Sequence, residues 1–168
     1  TAIKAAVRVP IIASGRVEPE AGDKHIGAGA YDFLAMGRKL LADPALPRKL
    51  AGNAPDSVRP CIYCYTCVST AYVREPLRCA VNPATGFECE STAPSVSGRH
   101  FVVIGGGPGG MEAALRLKDA GNRVTLIEQG ARLGGTLRFA SLAYPANERL
   151  LDWQIREVER AAIDLRLN

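Results

Sequence analysis

The sequence predicts an α/β fold in three successive parts, residues 1–52, 53–97 and 98–168. Three observations predict it. Two apolar runs near the start each end in a Gly-Arg pair. Four cysteines gather between residues 61 and 79. Beyond residue 98, a strand, a Gly-rich turn, a helix and a second strand follow in one pass. Strand and helix patterns that alternate in this way belong to parallel sheets rather than sandwiches.

The first part reads as strand, helix, strand, helix. Val9-Pro10-Ile11-Ile12-Ala13 is a short apolar run that suits a buried parallel strand, and it closes on Ser14-Gly15-Arg16. A helix is predicted from about Pro19 to Ala28, with proline at its first position and Gly22 weakening its interior. Tyr31 to Met36 is the second strand, closing on Gly37-Arg38. Asp43 followed by Pro44 predicts an N-cap and the start of a second helix, which Gly52 stops. Gly15 and Gly37 lie 22 residues apart, the length of about one βα unit. In a TIM barrel the loops after the last two strands commonly form a phosphate site. Glycine exposes backbone N–H groups there, and arginine supplies a fixed cationic fork. Arginines that merely follow strands on a surface are the alternative.

The middle part carries Cys61, Cys64 and Cys67 at three-residue intervals, with Cys79 twelve positions further on. C-x2-C-x2-C with one remote cysteine is the spacing of a [4Fe–4S] ligand set. A tight loop with a ligand every third residue can aim three thiolates at three corners of one cube, and the fourth comes from elsewhere. The alternatives are structural zinc, which usually takes its cysteines as two separate pairs, and disulfides. Cys89 stands outside the pattern and reads as a free thiol. Five prolines, at 55, 60, 76, 83 and 94, punctuate this part, and Glu90 to Ser97 reads as an exposed connector.

In the third part, His100 to Ile104 is a strand and Gly105-Gly106-Gly107-Pro108-Gly109-Gly110 a turn. Met111 to Ala120 is a helix that Gly121 stops, and Arg123 to Glu128 is the next strand. Gly105, Gly107 and Gly110 match G-x-G-x-x-G in the strand-turn-helix setting of a dinucleotide site. Gly105 permits the tight turn. Gly107 lets a pyrophosphate reach the backbone at the helix N-terminus, and Gly110 lets helix and strand pack closely. Glu128, 18 residues after Gly110, is placed to accept hydrogen bonds from a ribose and to repel a 2′-phosphate. This favours FAD or NAD over NADP; a ligand-free Gly-rich turn is the alternative. Gly134-Gly135 follows shortly after the acid. Asn147 is the predicted cap of a last helix, with Leu151, Ile155, Val158, Ala162 and Leu165 as its core-facing stripe.

Composition sets the outer bounds. The 168 residues are 47% hydrophobic and 23% charged, as in a globular protein, with a net charge of +4 spread along the chain. A dispersed charge of this size gives no nucleic-acid footprint. No apolar run approaches the ~20 residues that span a bilayer, and no secretory signal stands in these residues. Closely spaced cysteines without a signal fit a reducing compartment, so a cytoplasmic location is expected.

Taken in order, these motifs resemble the NADH:flavin oxidoreductases with an old-yellow-enzyme-type barrel, an iron–sulfur loop and a flavoprotein-like module. That group includes 2,4-dienoyl-CoA reductase and trimethylamine dehydrogenase. Ile11 to Arg16 resembles the family's seventh barrel strand. Phe33 to Arg38 followed by Leu41-Ala42-Asp43-Pro44 resembles the eighth and its sequel. The four cysteines match the cluster spacing, Val103 to Gly110 resembles the opening of the third module, and Gly135 its second close approach to FAD.

The resemblance implies the C-terminal end of a TIM barrel, an iron–sulfur loop and the start of a Rossmann-like domain. Gly15, Arg16, Gly37 and Arg38 would cradle an FMN phosphate. Cys61, Cys64, Cys67 and Cys79 would hold a [4Fe–4S] cluster. Gly105, Gly107, Gly110, Glu128 and Gly135 would hold FAD, or ADP in amine-oxidising members. The implied activity is a relay from NAD(P)H through FAD and the cluster to FMN, which reduces an activated C=C bond of a small molecule. Amine dehydrogenation or demethylation is the alternative within the family. A zinc knuckle joined to a nucleotide-binding domain, or a stand-alone electron-transfer subunit, are the alternatives outside it. Members of the family carry six further barrel strands and a nicotinamide domain. The chain is therefore expected to be an internal fragment that does not turn over alone, with its catalytic acid and base elsewhere.

Overall fold

The computed structural model describes residues 1–90 and 96–168; the middle of the connector expected over Glu90 to Ser97 lies outside the described residues. Two parallel sheets flank a coil-rich centre. The first is a pair, β1 (Ile12–Ser14) and β2 (Phe33–Ala35), joined through α2 (Pro19–Gly27) in register Ile12 to Phe33. It is preceded by a short α1 (Ala2–Ala6), which the apolar pattern did not announce. Lys4 in α1 forms an ion pair with Asp32, and Asp32 also accepts the Ile11 N–H at 2.7 Å, so one carboxylate fixes where both strands begin. Gly22 sits where a β-carbon would collide with Leu34, which lets α2 lie flat on β2.

The predicted Asp43 cap is corrected. α3 (Arg38–Ala42) starts directly after Gly37, and Asp43 closes it; α4 (Leu46–Ala51) begins three residues later with Pro47 in its first turn. The Asp43 side chain instead accepts from the Ala45 and Arg59 backbone and from Lys49. A buried carboxylate with three donors is a stronger organiser than a cap. It ties the start of the cysteine segment to the end of α3. α5 (Thr66–Tyr72) carries Cys67.

The second sheet runs β3 (His100–Ile104), β4 (Arg123–Glu128), β5 (Asp164–Leu167), all parallel and in that spatial order. α6 (Pro108–Asp119) crosses from β3 to β4. α7 (Leu137–Ala143) and α8 (Pro145–Arg160) cross from β4 to β5. Asn147 is the third residue of α8 rather than its cap, which is Tyr144. The predicted apolar stripe splits: Leu151, Ile155 and Val158 lie on α8, whereas Ala162 sits past its end with φ 49° and Leu165 is in β5. A period of three to four residues happened to continue across a turn.

The main core joins α6, β4, α8 and the loop after β4 through Met111, Ala114, Val124, Leu126, Leu133, Leu151, Val158 and Ile163. A second core matters more for position. Ala42 of the first part, Val81 of the middle and Leu150 and Trp153 of α8 pack together, with Cys61, Ile62 and Cys79 against them. All three parts of the chain thus meet beside the cysteines. Among the described residues no helix is long and apolar enough to cross a membrane.

Candidate cofactor sites around the cysteine loop

Cys61, Cys64, Cys67 and Cys79 line one small cavity together with Arg38, Tyr63, Tyr65 and Val81. All four are free thiols, and Cys89 is a free, exposed thiol outside the group. The loop coils through Tyr63 and Tyr65, both left-handed, at φ 52° and 63°. Non-glycine residues pay about 1–2 kcal/mol for that region, and such strain gathers at ligand clamps. It turns successive cysteines inward. The Tyr63 N–H donates to Cys61 Sγ at 3.4 Å, and the Thr66 hydroxyl lies 3.3 Å from Cys64 Sγ. Burial pushes the Cys61 thiol up, against the smaller downward pull of that N–H. Cys79 is placed by its neighbours: Asn82 and Thr85 both donate to the Leu41 carbonyl at the end of α3, each at 2.9 Å. Among the described residues no three His, Cys, Asp or Glu side chains are drawn together closely enough to hold a metal ion. Four thiols lining one cavity are the soft donor set that zinc or an iron–sulfur cluster takes.

The Gly-Arg loops abut this cavity. Arg16 lies 4.9 Å from the centre of the Tyr63 ring and 5.3 Å from that of Tyr65; Arg38 lies 5.3 and 4.7 Å from the same rings. Arg16 donates to the Tyr65 hydroxyl at 2.9 Å, which pulls that hydroxyl below its ordinary pKa. One terminal nitrogen of Arg38 is buried with no partner among the described residues. Nothing stands within 4 Å of a β-carbon built on Gly15 or Gly37. An orphaned guanidinium nitrogen beside two open glycines fits a phosphate group. Lys39, next along, is buried and bonds Glu18 and the Tyr63 hydroxyl, each at 2.5 Å.

The third site is the Gly-rich turn. Gly105 has φ 103°, open only to glycine, and donates its backbone N–H across to the Ile127 carbonyl at 2.7 Å. A β-carbon on Gly110 would collide with the Gly105 carbonyl, so the helix sits hard on the strand end. Gly107 caps α6 without any side-chain bond, and its own β-carbon position is open. The N–H groups of the first turn therefore take no capping side chain from Gly107, which suits an approaching pyrophosphate. Gly134 donates to the Gly106 carbonyl at 2.7 Å, and Gly135, at φ 50°, lies against Gly107. The second glycine pair is thus folded onto the first. Glu128 accepts from Gly106 at 2.6 Å and Gly130 at 2.8 Å, and these bonds hold its carboxylate below the usual range.

Sequence reasoning placed the glycines, arginines and cysteines but missed what joins them. Tyr63, Tyr65, Lys39, Glu18, Arg59 and Glu112 make those joints. The available signal was the alternation Cys-Ile-Tyr-Cys-Tyr-Thr-Cys, which sets aromatic rings between ligands.

Comparison with known proteins follows the same outline. Residues 100–157 match the family model described as FAD binding domain. The chain is 38% identical over 173 residues to NADH oxidase of Thermoanaerobacter brockii, covering 98% of this chain and 26% of that protein. It is 41% identical over 138 residues to cinnamate reductase of Clostridium sporogenes, covering 80% and 21%. Among solved structures, 6-hydroxypseudooxynicotine amine oxidase of Pseudomonas geniculata N1 superposes with a TM-score of 0.87 at 28% identity, over 98% of this chain and 26% of that one. The chain spans about a quarter of the length of these relatives. Its similarities lie with the flavin oxidoreductases, and nearly all of its residues align with one stretch of those larger oxidoreductases.

Proposed function

We propose that this chain is the central segment of an iron–sulfur flavoprotein in which NAD(P)H reduces an activated carbon–carbon double bond of a small molecule. The observation that carries the reading is the position of the cysteine cavity. Tyr63 and Tyr65 tie it to the Gly-Arg loops on one side. Arg59, two residues before Cys61, ties it to α6 on the other, through Glu112.

Gly15, Arg16, Gly37 and Arg38 would hold the phosphate of FMN, with β1 and β2 as the last two strands of a TIM barrel. The exposed Ile12 and Phe33 support this, because barrel strands carry apolar side chains toward further strands and helices. Cys61, Cys64, Cys67 and Cys79 would ligate a [4Fe–4S] cluster. Gly105, Gly107, Gly110 and Gly135 would let the FAD pyrophosphate approach the N-terminus of α6, and Glu128 would face the adenosine ribose. When bound, these groups supply hydride transfer at the flavins and single-electron transfer at the cluster. The residues of this chain set the environment for that chemistry. Arg16, Arg38 and Lys39 gather positive charge beside the cavity, which offsets the negative charge of four thiolates. Val81, Ile62 and Trp153 exclude water from its inner side. No nucleic acid or membrane enters the reading.

Similarity to an amine oxidase favours a second reading, in which the same frame serves amine oxidation and the third site binds ADP. One experiment separates the readings. Anaerobically purified full-length protein should contain about four iron and four sulfide per chain and should oxidise NADH with an enoate acceptor. Amine oxidation without enoate reduction selects the second reading. One zinc and no iron overturns both.

A further inference from the structure

One side chain, Tyr63, touches four charged groups between the phosphate loops and the cysteines: Arg16, Arg38, Lys39 and Glu18. Its ring lies 4.9, 5.3 and 5.0 Å from the cationic groups of Arg16, Arg38 and Lys39. Its hydroxyl donates to Glu18 at 2.8 Å and accepts from Lys39 at 2.5 Å. Its backbone N–H donates to Cys61. The residue is buried, and its backbone is held at φ 52°. A left-handed tyrosine persists only where its surroundings over-determine it. Here the hydroxyl anchor and the stacked cations do so, and the same backbone turn aims the N–H at the sulfur.

The Gly-Arg arginines are therefore shared between two tasks. Each must face a phosphate and each lies over the rings that brace the cysteine loop. Arg38 lies over both rings and retains one buried nitrogen without a partner among the described residues, so it has a donor left for a phosphate. A phosphate that fixes Arg16 and Arg38 also fixes the rings beneath them, and so fixes the loop that carries Cys61 and Cys64. Linkage makes this reciprocal: a filled cysteine cavity fixes the rings and thereby the arginines.

We propose that Tyr63 is a positioning residue that couples phosphate binding at Arg16 and Arg38 to cluster binding at the cysteine loop. The proposal rests on the reading that the loop holds a cluster and the Gly-Arg pairs a flavin phosphate. It goes beyond that reading in making the two occupancies energetically dependent through one tyrosine.

The test uses full-length protein stripped of FMN, with its cluster intact or removed. FMN is titrated into each form and followed by quenching of flavin fluorescence. Wild-type protein should bind FMN about tenfold more tightly with the cluster than without it. In Tyr63→Phe, which keeps the ring and loses the anchor, the ratio should fall toward one while iron and sulfide content is kept. In parallel, adding FMN should change the electron paramagnetic resonance spectrum of the reduced cluster in wild type and leave that of Tyr63→Phe unchanged. A ratio of one in wild type, or an undiminished ratio in Tyr63→Phe, overturns the proposal. Should Tyr63→Phe not retain its cluster, Glu18→Gln loosens the same hydroxyl from a half-exposed position, and its ratio decides in the same way. Wild-type protein without iron and sulfide overturns the cluster reading itself, before any flavin is added.

Discussion

Arg59 and Glu112 form a two-pronged ion pair, with N···O distances of 2.9 and 3.2 Å, that bolts the cysteine segment to the helix behind the Gly-rich turn. Arg59 also stacks 4.6 Å from the Trp153 ring centre and donates to the Val81 carbonyl. Val81 lies two residues after Cys79, so this one guanidinium braces both ends of the candidate ligand set against α6 and α8. A planar fork with five donors can serve a carboxylate, a carbonyl and an aromatic face together; an ammonium group cannot.

Arg59→Ala should therefore destabilise the full-length protein by about 2 kcal/mol in urea unfolding. The loss stays below that of an orphaned buried charge, because Arg116 remains on Glu112. Arg59→Lys should recover less than half, since lysine cannot stack and fork at once. Full recovery by lysine would show that charge alone matters here.

The Gly-rich turn offers a sharper discrimination. Gly110→Ala places a methyl group against the Gly105 carbonyl and must shift the turn, so both stability and FAD content should fall. Gly107→Ala meets nothing within 4 Å, and the backbone there, at φ −73°, suits alanine. It should fold normally and still lose FAD, because only an incoming pyrophosphate needs that space. The check is the FAD-to-protein ratio after purification, read beside the melting temperature. Full FAD content in Gly107→Ala would remove the pyrophosphate from that turn.

Particular residues show which parts of this were legible in the sequence. His100 to Ile104 and Arg123 to Glu128 stand at their predicted bounds, because strong β-propensity and flanking glycines agree there. The α3 helix at Arg38–Ala42 was hidden, since five residues are too few for a period to show, and the eye goes to Asp43-Pro44 instead. Asp43 behaves as tertiary glue, with donors from Lys49 and Arg59 that no local pattern announces. At the candidate sites, spacing exposed the ligand types, because metal and phosphate chemistry constrain residue identity. The roles of Tyr63 and Lys39 have no local signal, because they arise where α3 meets the cysteine loop 24 residues on.

Glu128 sets a pH dependence. Two backbone N–H groups, from Gly106 and then Gly130, hold its carboxylate below the ordinary value of 4.5. A depressed folded pKa means the stabilising effect is fully present above about pH 4.5 and fades as pH falls through the lower folded value. Glu128→Gln should flatten the acid limb of the stability profile, because a neutral amide cannot accept both bonds as a carboxylate does. Thermal melts at pH 3.5 to 7 read this directly. Wild type and variant should diverge at neutral pH and converge in acid; parallel curves would mean that the charge contributes nothing.

The cysteine set makes the last prediction. Cys64 is the most exposed of the four, its thiol lies beside the Thr66 hydroxyl, and it stands outside the core of Ala42, Val81, Leu150 and Trp153, so its loss leaves that core intact. Cys64→Ala should therefore keep the melting temperature of cluster-free protein while removing the cluster's contribution to the visible absorbance of the loaded form. FAD content should be retained, since the Gly-rich turn is held by its own backbone bonds to Ile127 and Glu128. Cys89→Ala, outside the cavity, should change none of these. A variant lacking Cys64 that still carries the cluster band would take that thiol out of the set, and with it the three-residue spacing on which the ligand assignment stands.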